Sequence, residues 1–312
     1  MEDRDNATTV TEFVLGGFPR QPQVRAALFV LFLVMYAVAI AGNGLILVLI
    51  AVDSHLHTPM YFFLSNLSFI DVCFISNSVP QMLALCFTDR RTVSFGRCFA
   101  QINIALFLAT AECLLLAVMA YDRFVAICSP LHYSLLMSQK VCLIVTVSLW
   151  VSAFFLTIVP FFSMPTLHFC GHNVVNHFVC ELQAVLKLAC SDTYTTGLII
   201  MITSTLTLVF PFAFILVTYG RIGLAVLSIR SAQGQGKALS TCGSHLAVVG
   251  VFYGTTLAIY LRPQNKMFSN REKVVGAFYG VVTPMLNPLI YSLRNRDVKG
   301  ALWRLMGRKL EE

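Results

Sequence analysis

The sequence predicts an all-α protein: a seven-transmembrane helix bundle followed by a short amphipathic C-terminal interfacial helix. Three observations predict it. Hydrophobic residues make up 57% of the chain and charged residues only 12%, about half the charged share of an ordinary soluble domain, roughly 25%. Stretches of about 20 residues with few or no charges recur along the chain, and each is long enough to cross a hydrocarbon core of about 30 Å as a helix. After the last of them, apolar residues fall at helical spacings among basic ones, the pattern of a helix lying in a membrane surface.

The spans follow in order. Residues 1–25 carry Glu2, Asp3, Arg4, Asp5, Glu12, Arg20 and Arg25 without the short apolar core of a cleaved leader, so the first span is expected to serve as its own signal. That span is Ala26 to Val52. Thr58 to Phe87 is the second, interrupted only by Asp71, and Cys98 to Tyr121 the third, with Glu112 inside it. Val141 to Leu167, Thr193 to Gly220, Ala238 to Leu261 and Val274 to Leu293 complete the seven. Pro80, Pro160, Pro211, Pro284 and Pro288 fall in or near spans and predict kinks, because neighbouring helices satisfy the freed backbone groups. Residues 26–293 thus form one membrane domain, preceded by an outer segment, 1–25, and followed by an inner helix and tail, 294–312. In that tail Val298, Ala301, Leu302, Leu305 and Met306 form the apolar stripe, with Lys299, Arg304 and Arg308 elsewhere on the wheel.

An odd number of spans puts the termini on opposite sides. Charge does not choose which, since the 22 Lys and Arg residues divide 11 and 11 between the two faces, leaving the positive-inside rule undecided. Cys98, Cys170, Cys180 and Cys190 share a face with the N-terminus and with the N-glycosylation acceptor at Asn6. Disulfides and glycans belong to the oxidising side, so the N-terminus is expected outside a plasma-membrane protein. The net charge of +7 is spread over short loops with no basic block, which excludes a nucleic-acid reading. No HExxH, Gly-x-Ser-x-Gly or phosphate-cradling glycine loop supports an enzyme.

Five motifs then carry a specific resemblance: Gly42-Asn43, "LHTPMYFFLSNLSFIDVC" at 56–73, "MAYDRFVAIC" at 119–128, "KALSTCGSHL" at 237–246 and "PMLNPLIYSLRN" at 284–295. In this order, over essentially the whole chain, they resemble the tetrapod-type olfactory receptors of the rhodopsin-like G-protein-coupled superfamily. Phe124, Leu239 and Thr218 depart from the family's usual Tyr, Phe and Ser. The resemblance implies a small-molecule odorant as ligand and a stimulatory, olfactory-type heterotrimeric G protein as partner, with cyclic AMP as the output and no required cofactor. It pairs Cys98 with Cys180 and Cys170 with Cys190, where the sequence alone allows three connectivities. It places Asp71 and Glu112 in a sodium pocket, where a shared Na⁺ or a shared proton would offset their repulsion; packed polar contacts are the plainer alternative. "HFVCE" at 177–181 holds metal-ligand residue types, but a disulfide-bonded Cys180 cannot be a thiolate ligand.

Helix geometry narrows the ligand site. Tyr253, Thr256, Leu257 and Tyr260 share one face of the sixth span, Ala105, Leu106, Ala109, Thr110 and Cys113 one face of the third, and Thr203 and Thr207 one face of the fifth. By resemblance these faces point into the outer half of the bundle, although such stripes also serve plain helix packing. Small apolar walls with a few hydroxyls suit a small, mostly neutral molecule. Ala105 stands where amine receptors carry an aspartate, which disfavours an ammonium ligand; Arg262 leaves acids open. On the inner side the resemblance assigns Asp122, Arg123, Lys237 and His245 to the G-protein switch, with Arg123 held by Asp122 at rest, and "NPLIY", carrying Asn287, Pro288 and Tyr291, to a kink in the seventh span. His245 reads equally well as a core histidine. The competing functions are an ion-coupled transporter, against which the lack of inverted repeats counts, and a rhodopsin-like receptor for a non-odorant ligand.

Overall fold

The computed structural model describes residues 10–307 except 20, 89–90, 230, 261–275, 277 and 295. Asn6 and Arg262 lie outside the described residues. Of Lys237 and Tyr260 only the backbone is described, both in helix. The helices are α1 (Pro22–Val52), α2 (Pro59–Cys86), α3 (Phe95–Cys128), α4 (Gln139–Ser163) and α5 (Tyr194–Ser228), then α6 (Ala232–Tyr260), α7 (Thr283–Arg294) and α8 (Arg296–Leu305). Among the described residues α1 to α5 are each long and apolar enough to cross a membrane. The α6 helix is apolar over Cys242–Leu257, and a π-helical turn, Phe278–Val282, leads into α7.

The first five spans sit where hydropathy puts them, but their ends do not. Hydropathy marks hydrocarbon, whereas a helix continues for as long as its backbone can bond to itself. At about 1.5 Å per residue, the 34 residues of α3 reach well past a bilayer core, so Asp122 and Arg123 lie within the helix instead of following it. Pro22 and Pro59 open α1 and α2 in the first turn, where a missing N–H removes no hydrogen bond. The interior prolines act differently. Two π-helical turns, Thr205–Val209 in α5 and Phe278–Val282 before α7, stand just ahead of Pro211 and Pro284. A wider turn at each place accommodates a ring that cannot accept the normal i→i−4 ladder.

Gly42-Asn43 acquires its reason from α7. Pro288 has no N–H to give the carbonyl of Pro284, four residues before it. Asn43 Nδ2 takes that carbonyl at 2.9 Å and the Ala39 carbonyl at 3.0 Å. A Cβ on Gly42 would stand 3.0 Å from Pro288 Cγ, so glycine permits the close approach of α1 and α7. The carbonyl freed in α7 is thus taken from α1 by Asn43, while Asn287 is engaged with Asp71.

The outer end holds a small sheet that no motif announces. Strand β1 (Glu12–Leu15) lies between β2 (Thr92–Ser94), to which it is antiparallel, and β3 (Val174–Val175), to which it is parallel. Its Phe13 and Leu15 are fully buried, and Phe13 meets the Phe169 ring edge-on at 5.4 Å. Arg91 donates to the Phe18 carbonyl at 2.9 Å and covers the Phe18 ring. Disulfides Cys98–Cys180 and Cys170–Cys190 tie the loop that carries β3 to α3 and to itself.

At the inner end α8 is clasped from two sides. Arg304 donates to Asp53 Oδ2 through Nε at 2.9 Å and Nη2 at 2.7 Å, and Tyr61 Oη donates to Asp297 at 2.9 Å. Val298 and Ala301 are buried, whereas Leu305 and Met306 are exposed to the lipid boundary the stripe predicts. The Arg304 guanidinium, helped by the His55 amide and ring, holds the Asp53 carboxyl down at about 2. A depressed carboxyl stabilises the folded form above its unfolded value near 4 and loses that contribution as pH falls toward 2. Arg304→Ala is expected to release α8, seen as roughly tenfold or faster hydrogen exchange across 296–305 with exchange in α2 unchanged.

Candidate functional site

Three constellations lie on one line through the bundle. The outermost is a groove between α3, α4 and α5, with about 320 Å³ of empty space that includes the open region at its mouth. It gathers Leu106, Thr110, Thr203 and Thr207 of the predicted ligand residues. Thr110 and Thr207 are buried. Leu156, Thr157 and Pro160 of α4, Leu182 of the disulfide-tied loop, and Ile200 and Ser204 of α5 also line it; the sequence reading missed all of them. The run "TSTLT" at 203–207, hydroxyls within an apolar span, was the one signal available.

The other predicted ligand residues sit apart from this groove. Tyr253 is buried and stacks on Phe212 at 4.6 Å. Thr256 returns its hydroxyl to the Phe252 carbonyl at 2.7 Å, and Cys113 is buried. Leu257, Ala105 and Ala109 are half-buried and pack against the central core.

Beneath lies the acid pair. Asp71 and Glu112 are buried and close enough to repel one another. Asn287 Nδ2 donates to both Asp71 oxygens, at 3.1 and 3.0 Å. Glu112 Oε1 and Asn287 Oδ1 are buried with no hydrogen-bond partner among the described residues. Unpartnered buried oxygens are costly, and a set made only of carboxylate and amide oxygens is what a hard cation takes. These residues fit Na⁺. The "HFVCE" segment does not form a metal site: Cys180 is in a disulfide, Glu181 caps the short helix Leu182–Leu186 through the Ala184 N–H at 2.9 Å, and the described residues hold no cluster of three His, Cys, Asp or Glu side chains.

The inner constellation revises the expected pairing. Asp122 accepts from Tyr133 Oη at 2.8 Å, a residue of the helical turn Tyr133–Leu136 in the following loop, and no ion pair joins it to Arg123 among the described residues. Arg123 is buried with Nε unpartnered. His245 is fully buried and does not face the inner surface. Its Nε2 donates to the Leu116 carbonyl at 3.2 Å, since a carbonyl only accepts, which leaves Nδ1 to accept from Tyr219 Oη at 2.7 Å. One imidazole thereby ties α3, α5 and α6 together. Tyr291 is buried with its hydroxyl unpartnered. Phe124 stacks on Tyr121 at 6.3 Å and packs against the cluster of Ile222, Val226 and Cys242, an apolar seat for the ring that replaces the usual tyrosine.

A family model described as olfactory receptor matches residues 32–309. Olfactory receptor 13H1 of Homo sapiens is 50% identical over 302 residues, covering 97% of this chain and 98% of that one. Olfactory receptor 1f45 of Rattus norvegicus is 47% identical, covering 96% of each. The crystal structure of squid rhodopsin superposes with a TM-score of 0.75 at 19% identity, over 94% of this chain and 85% of that one, a likeness of fold.

Proposed function

From the premise that this chain belongs to the olfactory receptor family, we propose that it binds a small, mostly neutral volatile molecule in the outer half of the bundle and activates a stimulatory, olfactory-type G protein, raising cyclic AMP. As a member it is an odorant receptor of the G-protein-coupled class, a multi-pass membrane protein and not an enzyme. Its N-terminus lies outside the plasma membrane in this reading, which the cysteine-bearing loops and the sequon at Asn6 support.

The observation that carries the ligand reading is the α3–α4–α5 groove, where the hydroxyls of Thr110, Thr157, Thr203, Ser204 and Thr207 stand among apolar side chains. Apolar walls with such hydroxyls suit an alcohol, aldehyde, ketone or ester. No carboxylate lines the groove, which agrees with the absence of an ammonium counter-ion at Ala105. The test is a diverse odorant panel against the receptor in cells with a cyclic AMP reporter, repeated on Thr110→Val and Thr207→Val. One hydrogen bond contributes about 0.5–1.5 kcal/mol, so each variant is expected to need about two- to tenfold more of a hydroxylic or carbonyl odorant. Unchanged potency in both would move the ligand elsewhere.

Asp71, Glu112 and Asn287 would hold the Na⁺, whose charge would offset the repulsion of the two acids and favour the resting arrangement. Sodium is then expected to raise the odorant concentration required by about fivefold or more, the ordinary scale of coupling between sites. Asp71→Asn and Glu112→Gln are each expected to abolish that dependence; a sodium response identical to wild type in both would remove the ion from the account.

A further inference from the structure

We propose that the ligand enters and leaves this receptor sideways, from the lipid, through the seam between α4 and α5. The occupant is a compact lipid-soluble molecule with a single hydrogen-bonding head. The proposal rests on the reading that the ligand sits in the outer half of the bundle, and adds the route by which it arrives.

Among the described residues the water-facing end above the groove is sealed. Strand β1 fills the space between β2 and β3 with Phe13 and Leu15 inside. A Cβ on Gly17 would stand 2.5 Å from the His177 carbonyl carbon, so this chain segment lies directly against the loop. Gln101, buried on α3, locks the same loop: its Oε1 accepts the Cys180 N–H at 2.9 Å, while its Nε2 and carbonyl exchange hydrogen bonds with Asn77 of α2 at 2.9 and 3.0 Å.

The groove itself lies among α3, α4 and α5 and is only partly enclosed. Thr110, Pro160, Leu182 and Thr207 are buried at its floor, whereas Leu156, Thr157, Ile200 and Ser204 are half-buried at its rim. Around that rim Phe155, Val159 and Met201 are exposed, so the mouth faces hydrocarbon. The polarity runs the way a molecule arriving from lipid requires. Thr157 turns its hydroxyl into the Ala153 carbonyl at 2.8 Å and Thr203 into the Ile199 carbonyl at 2.9 Å, so that both present carbon to the groove. Inside, Thr207 makes only a long contact of 3.4 Å to the Ser204 carbonyl, and Thr110 is buried in the same lining. Proline at 160 leaves the Leu156 carbonyl without its helical donor, a further acceptor at this place.

Both walls of the seam are locally weakened. Pro160 interrupts the ladder of α4 and the π-helical turn Thr205–Val209 that of α5, so the two helices can part here at less cost than where the ladder is continuous.

The test uses the full chain in lipid nanodiscs with 3-azioctanol, a photoreactive eight-carbon alcohol, irradiated after brief or long exposure and mapped by mass spectrometry. Adducts are expected at the rim and at Thr110 or Thr207. Met201→Trp plugs the rim from outside the groove lining and is expected to reduce interior labelling about fivefold or more after brief exposure, with wild-type levels restored after long exposure, because a gate alters rates without altering equilibrium occupancy. Val159→Trp, a plug from the opposite wall, is expected to do the same and serves if Met201→Trp does not fold. Interior labelling as fast in both plugged variants as in wild type overturns the lateral route and leaves the outer-half site standing. Adducts spread evenly over Phe155, Val159 and Met201 with none at Thr110 or Thr207 overturn both.

Discussion

Arg123→Ala is expected to reduce the odorant-driven cyclic AMP response to the unliganded baseline while the receptor still reaches the cell surface in wild-type amounts. Arg123 is a buried charge at the inner end of α3 with Nε unpartnered, and a charge in that position is costly unless it is used. Its removal leaves the Tyr133–Asp122 and Tyr219–His245–Leu116 bonds in place, so folding has little reason to fail. The guanidinium offers several donors in a rigid fork and always carries its charge, which suits it to meet the carbonyl-rich end of an inserting G-protein helix. Arg123→Lys keeps the charge without the fork and is expected to recover only part of the response. Surface staining and cyclic AMP on the same cells check both; a retained response in Arg123→Ala at matched surface expression would remove the residue from the coupling machinery.

Loss of the Cys98–Cys180 bridge is expected to be the most damaging change to folding. It closes 82 residues of chain, against 20 for Cys170–Cys190. Loop-closure entropy gives about 4.5 kcal/mol for the longer and about 3.3 kcal/mol for the shorter, upper limits because the inserted helices already restrict the unfolded chain. Cys98 and Cys180 are also buried, and the Cys180 N–H is the one Gln101 receives. Cys98→Ser is therefore expected to lower surface expression by about tenfold or more, and Cys170→Ser by less, measured by staining an N-terminal epitope. An equal loss in both would mean that the lid is held by its sheet and not by its anchor to α3.

Hydrophobicity over roughly 20 residues is a local property, and the spans could be read from it without any partner being known. What could not be read depends on chain brought together from far apart. β1 is four residues long and pairs with a strand some 160 residues away, so no local pattern distinguishes it from loop. The carbonyl freed by Pro288 was legible; that Asn43, 241 residues earlier than Pro284, would take it was not. Asp122 was assigned its neighbour in sequence, whereas side chains one residue apart on a helix do not face each other, and Tyr133 takes the place. In the groove, Thr110 and Thr207 were found by helical spacing. Leu156, Thr157 and Ile200 carry no motif and join the site only through the packing of α4 against α5.

Odorant-driven nucleotide exchange on a purified stimulatory olfactory-type G protein, measured with this receptor in nanodiscs and an odorant identified by the panel, bears most directly on the account. The prediction is exchange that rises with odorant, shifts to higher concentration in Thr207→Val and vanishes in Arg123→Ala. Odorant binding without any exchange in the wild-type receptor, or exchange undiminished in Arg123→Ala, would contradict it.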